Sequence, residues 1–206
     1  MIPAAEALER LREGNRRFTS DTSVFAGASY RERRLETAVN QEPFAIILGC
    51  ADSRVPAEIV FDQGLGDLFV IRVAGNIVAP SQIGSVEFAA ARAGSRLVVV
   101  LGHSKCGAIL ATLEELARPS KEQSRNLRSI VERIQPAIEP ILVSQITPTD
   151  DALIRRAVRA NVKASVHHLR RGSEILESLV QTDGLVIVGA EYCLETGVVE
   201  FFDGVP

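Results

Sequence analysis

Two segments of the sequence carry residue types that are able to bind a metal ion together. Cys50 belongs to the first segment, and His103 and Cys106, separated by two residues, belong to the second. Two thiolates and one imidazole form a soft ligand set that suits zinc. Three protein ligands leave one tetrahedral position open, which is typical of a catalytic zinc site rather than a structural one. The pattern therefore favours a catalytic zinc centre.

The same residues are also compatible with a protein that binds no metal. Cys50 and Cys106 would then be small apolar residues of the core, and His103 would be a hydrogen-bonded histidine at a strand end. Spacing alone does not exclude this alternative, because such patterns also arise by chance. A closed structural zinc site would need a fourth ligand, for which Cys193 is the candidate, although it follows a different predicted strand.

The predicted strands place the candidate ligands at one edge of a sheet. Short runs of branched aliphatic residues without strict alternation indicate strands that are buried on both faces, as in a parallel sheet covered by helices. Such runs occupy residues 44–48, 68–73, 97–101 and 185–190. Cys50 follows the first run and His103 follows the third, so these residues meet if the two strands are parallel neighbours. Sites in such sheets form at the carboxyl ends of strands.

Helical patterns alternate with these strands. Apolar residues at helical spacing predict helices over residues 4–18, 83–93, 109–117 and about 149–171. Thr147 is the predicted N-cap of the last helix, and Pro148 its first helical residue. The alternation predicts an α/β fold with a mostly parallel central β-sheet flanked by helices, an N-terminal helical arm over residues 1–40 and a core over 41–206. Residues 198–202 are a candidate antiparallel edge strand.

Composition argues against several classes of protein. The chain has 206 residues, which at roughly 150 residues per domain suggests one domain. Its 23 basic and 26 acidic residues give a net charge of −3, and the absence of a basic run disfavours nucleic acid and membrane surfaces as partners. No apolar stretch approaches the ~20 residues of a membrane span, and no secretory signal is evident. Three cysteines fit reduced thiols, so a cytoplasmic protein is expected.

The two metal-binding segments resemble the paired zinc motifs of the β-class carbonic anhydrases. The segments are Cys50-Ala51-Asp52-Ser53-Arg54 and His103-Ser104-Lys105-Cys106-Gly107. The similarity continues through residues 66–76 and 189–197 and covers the chain from about residue 5 to 202. It implies a single domain of this family over residues 1–206. It also implies a zinc lyase, carbonate dehydratase, which hydrates carbon dioxide reversibly to bicarbonate and a proton by attack of zinc-bound hydroxide.

The resemblance implies a role for each residue near the metal. Cys50, His103 and Cys106 would hold one Zn²⁺ per chain, and Asp52 and Arg54 would be the catalytic pair beside the open coordination position. Arg54 would hold Asp52 with a bidentate ion pair, and Asp52 would orient the attacking hydroxide.

The resemblance also implies a substrate pocket for carbon dioxide or bicarbonate and an oligomer. In the plant-like subgroup the substrate-binding positions match Gln41, Phe69, Phe88 and Gly75, with Gln41 as an orienting amide and the phenylalanines as apolar walls. Gly75 is equally compatible with a plain turn glycine. Because part of each pocket in this family comes from a neighbouring subunit, a homodimer or higher homo-oligomer is expected. The amphipathic helix over residues 4–18 would cover such a partner.

Two departures from the family pattern carry expectations of their own. Ile47 stands where another subgroup has a Trp that helps to bind bicarbonate as an allosteric inhibitor. Arg72 and Tyr192 match the other two residues of that inhibitory site, but Ile cannot donate a hydrogen bond, so no such inhibition is expected. Cys193 replaces a frequent Asp and is interpreted as structural.

Two other functions remain open at this point. A close variant would hydrolyse carbonyl sulfide or carbon disulfide with the same hydroxide on the same scaffold. A member of a different class would be a non-catalytic, zinc-stabilised module of a larger transporter. The zinc motifs do not distinguish carbon dioxide from the two sulfur compounds.

Overall fold

A five-stranded sheet forms the centre of the computed structural model, which describes residues 2–24, 30–119, 124–142 and 150–205. The strands are β1 (Ala45–Gly49), β2 (Leu68–Arg72), β3 (Leu97–His103), β4 (Val186–Tyr192) and β5 (Val199–Asp203). Their order in the sheet is β2-β1-β3-β4-β5. The first four strands are parallel, and β5 pairs antiparallel with β4 at one edge.

The strand predictions are confirmed, including the antiparallel edge strand. β1 and β3 are parallel neighbours, with Gly49 opposite Leu101, which is the arrangement needed to bring Cys50 and His103 together. β3 extends beyond its predicted end at residue 101, because Gly102 and His103 pair with Glu191 and Tyr192 of β4. The predicted run stopped at the last aliphatic residue, whereas the backbone ladder continues.

Eight helices flank the sheet in the described ranges. They are α1 (Ala4–Thr19), α2 (Tyr30–Thr37), α3 (Ala57–Val60), α4 (Pro80–Arg92), α5 (Gly107–Ala117), α6 (Arg125–Ile138), α7 (Asp151–Arg171) and α8 (Glu174–Thr182). Short 3₁₀ turns occupy Ala74–Asn76 and Glu139–Ile141. Among these helices, none has both the length and the apolar character that a membrane span requires.

The sequence predicted α1, α4, α5 and α7 but not the other four helices. Thr147 and Pro148, the predicted start of α7, lie outside the described residues. The helix begins instead at Asp151, and the side chain of Asp150 caps it by accepting a hydrogen bond from the Ala152 N–H at 2.9 Å. This carboxylate satisfies a backbone donor that the first turn of a helix leaves free.

Three apolar clusters hold these layers together. α1 and α3 cover one face of the sheet, and α4, α8 and the second half of α7 cover the other. A third cluster lies beyond the carboxyl ends of the strands and is built from α5, α6 and the first half of α7. Cys50 and Cys106 belong to this third cluster, so the candidate ligands lie where apolar side chains exclude water.

The apolar face of α1 packs against its own chain. Leu8 and Leu11 are 2% and 0% exposed and contact the cluster that includes Phe61. Asn15 of the same helix donates to the Val60 carbonyl at 3.0 Å and accepts from the Val199 N–H at 2.8 Å. The core of its own subunit therefore already buries this face, so the amphipathic pattern of α1 does not by itself support contact with a partner.

The contact between α1 and the segment after α3 depends on a helical glycine. A Cβ on Gly14 would lie 1.8 Å from the Phe61 carbonyl oxygen. Although Ala is favoured over Gly inside helices by about 1 kcal/mol, we expect Gly14→Ala to lower the free energy of unfolding by about 1–3 kcal/mol, because α1 must move. Urea unfolding measures the change.

Gly84 in α4 is the matched control, because a Cβ there meets no atom within 4 Å. Gly84→Ala is expected to raise the free energy of unfolding by roughly 0.5–1 kcal/mol. Equal stabilisation by both substitutions would show that α1 does not pack as described.

Candidate metal centre

The three candidate ligands converge at the carboxyl ends of β1 and β3. One ligand atom from each of Cys50, His103 and Cys106 lies within 4.8 Å of the other two. The two sulfur atoms are 4.0 Å apart, close to the roughly 3.8 Å expected for two sulfurs bound to one tetrahedral zinc. The separation is about twice the length of a disulfide bond, and both cysteines are free and buried. The spacing fits two ligands of one metal ion.

The ends of the strands present these side chains. Cys50 directly follows β1, His103 is the last residue of β3, and Cys106 is the N-cap residue of α5. A tight turn at Ser104 and Lys105 separates the last two ligands, and Lys105 has a φ of 54°, a left-handed conformation that is uncommon for residues other than glycine. The turn returns the chain within two residues, so the imidazole and the second thiol reach the same space.

His103 presents one ring nitrogen without a partner. Its side chain is fully buried, and its Nδ1 lies 2.8 Å from the Ser104 carbonyl oxygen, to which it must donate. Its Nε2 is then an acceptor, and it has no hydrogen-bond partner within the described part of the chain. Leaving a buried polar atom unpaired is costly. A metal ion at Nε2 would remove that cost, and the bond to Ser104 would fix the tautomer that the metal requires.

The charges of the cluster also suit a cation. The Cys106 thiol donates to the Cys50 sulfur, which lowers the pKa of Cys50 and, together with burial, raises that of Cys106. Burial alone would lower the pKa of His103, but the nearby charges of Cys50 and Asp52 and the bond to the Ser104 carbonyl oxygen outweigh it and raise the pKa. The cluster therefore holds protons around a buried thiolate. Metal binding needs two thiolates and a neutral imidazole, so it displaces those protons.

Gly75 contacts the Cys50 sulfur through its backbone. Its N–H donates to Cys50 Sγ at 3.4 Å, and its φ of 69° lies in the left-handed region. A Cβ at this position would lie 2.8 Å from Ile134 Cδ1 and 3.0 Å from Ala108 Cβ. Conformation and space therefore both require glycine. The close backbone approach is to a ligand sulfur, in a buried position.

Asp52 and Arg54 form a bidentate pair beside the ligands. Asp52 Oδ1 accepts from Arg54 Nε at 2.9 Å and from its backbone N–H at 3.0 Å, and Oδ2 accepts from Nη2 at 2.8 Å. These hydrogen bonds hold the pKa of Asp52 well below its ordinary value, so the carboxylate is charged at neutral pH. Oδ2 also lies 3.8 Å from His103 Nε2. The carboxylate therefore borders the space that the ligands share, while Arg54 restrains it.

Arg72 braces the loop that carries both Cys50 and Asp52. Its Nε donates to the Cys50 carbonyl at 3.2 Å, and its Nη2 donates to the Asp52 carbonyl. Sequence reasoning connected Arg72 only with an inhibitory site and missed this role. The pairing of β2 with β1 is the feature that could have revealed it, because Arg72 ends β2 directly opposite Gly49, the residue before Cys50.

Three of the predicted substrate-binding residues lie far from the ligands of the same chain. Gln41 is exposed and precedes β1, at the opposite end from Cys50. Phe69 lies opposite Ile46, which is four residues and roughly 13 Å of strand before Cys50. Phe88 is 52% exposed, and its ring centroid is 6.1 Å from that of Phe69. One subunit therefore does not bring these side chains to its own ligands.

A fourth protein ligand is not found in the described ranges. The one group of metal-ligating residues found there contains Cys50, His103 and Cys106 alone. Cys193, the candidate for a closed site, instead donates from Sγ to Glu195 Oε2 at 3.4 Å. Within the described residues the arrangement thus offers three candidate ligands and no fourth.

Comparisons with known proteins agree with this geometry. The sequence model of the family described as "Carbonic anhydrase" matches residues 45–199. The chain is 36% identical over 193 residues to carbonic anhydrase 2 of Mycobacterium tuberculosis, covering 93% of this chain and 89% of that one. It is 37% identical over 194 residues to the carbonic anhydrase of Mycolicibacterium smegmatis, covering 94% and 91%. Among solved structures, the β-carbonic anhydrase CafA of Aspergillus fumigatus is similar with a TM-score of 0.74 and 25% identity, covering 91% and 89%.

The cluster predicts that loss of one thiol abolishes metal retention. Cys106→Ser replaces a thiolate ligand by a hydroxyl, and we expect zinc affinity to fall by about 100-fold or more. Zinc content after dialysis against a chelator, measured by mass spectrometry, reports the loss. Cys193→Ser is the matched control and is expected to keep its zinc, because this thiol lies outside the cluster. Full zinc occupancy in Cys106→Ser would refute the ligand set.

Proposed function

The chain belongs to the β class of the carbonic anhydrases, and we propose that its site hydrates carbon dioxide reversibly to bicarbonate with one zinc ion per chain, held by Cys50, His103 and Cys106. The observation that carries this proposal is the buried cluster of two thiols and an imidazole with an unpartnered Nε2. Zinc bound there would supply an acidified water as nucleophile at neutral pH, a role for which carbonic anhydrase is itself the standard example.

The alternative functions gain no support. The relatives compared are carbonic anhydrases, and none of them points to a carbonyl sulfide or carbon disulfide hydrolase or to a transporter module. Free cysteines in the described residues support a reducing, cytoplasmic location.

Asp52 orients the attacking oxygen in this proposal. A charged carboxylate accepts a hydrogen bond from the nucleophile and so directs an oxygen lone pair toward the carbon of the substrate. Arg54 occupies both carboxylate oxygens from the side, which keeps Asp52 in place and restrains it from moving onto the metal. The Arg54 side chain is 54% exposed. Its partner Asp52 is 17% exposed. A pair with one end this open to solvent contributes less to folding stability than a fully buried pair, which favours a role in the reaction over a role as a brace.

Carbon dioxide has no net charge, so its binding requires apolar walls and a well-placed donor. Phe69 and Phe88 supply such walls, and the Gln41 amide supplies the donor. Because these side chains lie away from the ligands of their own chain, we assign them to the pocket of a neighbouring subunit. Each active site then combines the metal ligands of one chain with the pocket residues of another.

Exposed surfaces of the subunit support a homodimer. β2 is an edge strand, and a short apolar edge strand with unpaired backbone groups favours pairing with another chain. α2 buries none of its residues in its own subunit, although an isolated helix of this length is unstable in water. Leu35 and Val39, in and just after α2, are 67% and 93% exposed. A second copy would cover these apolar groups and bring Gln41 and Phe69 near its own metal.

The plant-like subgroup remains part of the proposal. Ile47 is fully buried in the middle of β1 and offers no side-chain donor. Arg72 is already engaged with the carbonyls of Cys50 and Asp52. Both observations support an enzyme without the bicarbonate inhibition of the Trp-bearing subgroup.

The proposed role of Asp52 predicts a catalytic defect without a folding defect. Asp52→Asn preserves size but loses the charged acceptor, so kcat/KM for carbon dioxide should fall by about 10²–10³. Arg54→Lys keeps the charge but loses the planar fork, and it should also be strongly impaired. Stopped-flow hydration assays on variants of measured zinc content test this. Asp183→Asn, in an ion pair with Arg96, is the control and should retain full activity. A rate for Asp52→Asn within about threefold of wild type would contradict the proposal.

A shared active site predicts complementation between two impaired variants. Asp52→Asn chains keep Gln41, and Gln41→Ala chains keep Asp52 and the metal ligands. If each site takes Gln41 from the partner, co-expression restores one working site per mixed dimer, or about one quarter of wild-type activity at random equal pairing. Activity of the co-expressed pair no higher than the mean of the two separate variants would contradict a shared site. Sedimentation of the wild type as a monomer would contradict the dimer itself.

A further inference from the structure

Helix α7 carries two buried polar side chains one turn apart. Asn161 and Ser165 are 2% and 5% exposed and lie on the face that otherwise carries apolar residues such as Val162. Burying an amide or a hydroxyl without a partner is unfavourable. Both side chains donate to the same 3₁₀ turn at Ala74–Asn76. Asn161 Nδ2 donates to the Gly75 carbonyl at 2.8 Å, and Ser165 Oγ donates to the Asn76 carbonyl at 3.1 Å.

The turn that accepts these bonds has an unusual backbone. Gly75 and Asn76 have φ values of 69° and 43°, so two successive residues are left-handed. Left-handed residues normally occur singly. In this conformation the Gly75 N–H is directed at Cys50 Sγ, and the Asn76 N–H donates to the Val73 carbonyl at 3.0 Å. Of the two anchored N–H groups, that of Gly75 therefore bonds to a candidate metal ligand and that of Asn76 bonds to a backbone carbonyl.

We propose that Asn161 is a positioning residue that sets the donor strength of the Cys50 thiolate through Gly75. By holding the Gly75 carbonyl, Asn161 fixes the orientation of this residue and keeps its N–H aimed at the sulfur. A hydrogen bond to a thiolate draws electron density from the sulfur and so reduces its donation to the metal. Two thiolates donate strongly, so this contact adjusts how acidic the metal is. The inference rests on the proposed assignment of Cys50 as a metal ligand.

Ser165 provides a control within the same helix. It anchors the same turn from the same face and with similar burial, but the residue it holds bonds the Val73 carbonyl rather than the sulfur. A merely structural brace predicts similar effects of losing either side chain on the metal centre. The proposal predicts an effect on the metal for Asn161 alone.

The test uses the cobalt-substituted and the zinc-loaded protein. Asn161→Leu, of similar size but without a donor, should shift the sulfur-to-cobalt charge-transfer band to longer wavelength, because a thiolate with a weaker hydrogen bond donates more strongly. Its zinc affinity, measured by competition with a chromophoric chelator, should fall about 10- to 100-fold, because the turn that Asn161 anchors no longer holds Cys50 in position, a loss that outweighs the stronger donation of the sulfur. Ser165→Ala should leave the band unshifted and the affinity within about threefold of wild type.

A further variant and the range of outcomes distinguish failure of this inference from failure of the proposed function. If Asn161→Leu does not fold, Asn161→Asp, which keeps the shape but lacks the amide donor at neutral pH, replaces it and should shift the band in the same direction. An unshifted band in the folded variant, or equal shifts for Asn161 and Ser165 variants, would overturn the inference alone. A wild-type protein without any sulfur-to-cobalt band would overturn the ligand assignment and this inference together.

Discussion

The parallel register between β1 and β3 is the constraint on which the metal centre depends. Successive side chains of a strand point to opposite faces, so a shift of one residue would exchange the two faces of a strand. Ile46 and Ile47 of β1 are both fully buried, in clusters on opposite faces of the sheet, so a slip of β1 would force the packing on both faces to be rebuilt. The same register places Cys50 beside His103, and it places Arg72 of β2 where it reaches the loop after β1. The same strand register is therefore required both for the packing of the sheet and for the geometry of the site.

The sheet was predictable because strands buried on both faces leave short continuous runs rich in branched aliphatic residues. The unpredicted helices lack such a signal. α3 has four residues, too few for a helical period, and α2 has no buried residue at all. α6 does carry a buried stripe, formed by Val131, Ile134 and Ile138, but Pro136 interrupts the helical pattern. A helix or strand is predictable from local sequence when its own apolar residues repeat regularly along the chain. It is not predictable when contacts with another part of the molecule stabilise it.

The convergence of the three candidate ligands was predictable from residue type and strand ends, whereas the residues that support them were not. Cysteine and histidine are recognisable in a sequence as metal-binding residue types, and the predicted ends of the strands indicate where they lie. The roles of Gly75 and Asn161 depend on contacts across 25 and 86 positions of sequence, for which no local pattern exists. An asparagine on the buried face of an otherwise apolar helix is nevertheless a readable sign that a distant backbone group needs a donor. Residues such as Gln41, which lie far from the metal of their own chain, are beyond prediction from a single subunit.

The distribution of the ligands along the chain has a consequence for biosynthesis. All three ligands precede residue 107, whereas α7, which holds the turn against Cys50, begins at Asp151. The strands that precede the candidate ligands pair directly with each other, and the chain between Cys50 and Cys106 ends before α6 and α7 begin. As the polypeptide leaves the ribosome, the three candidate ligands are therefore made before the helix that supports the turn against Cys50. The side chains that would bind the metal thus exist in the nascent chain, whereas the buried and supported geometry of the site belongs to the completed one.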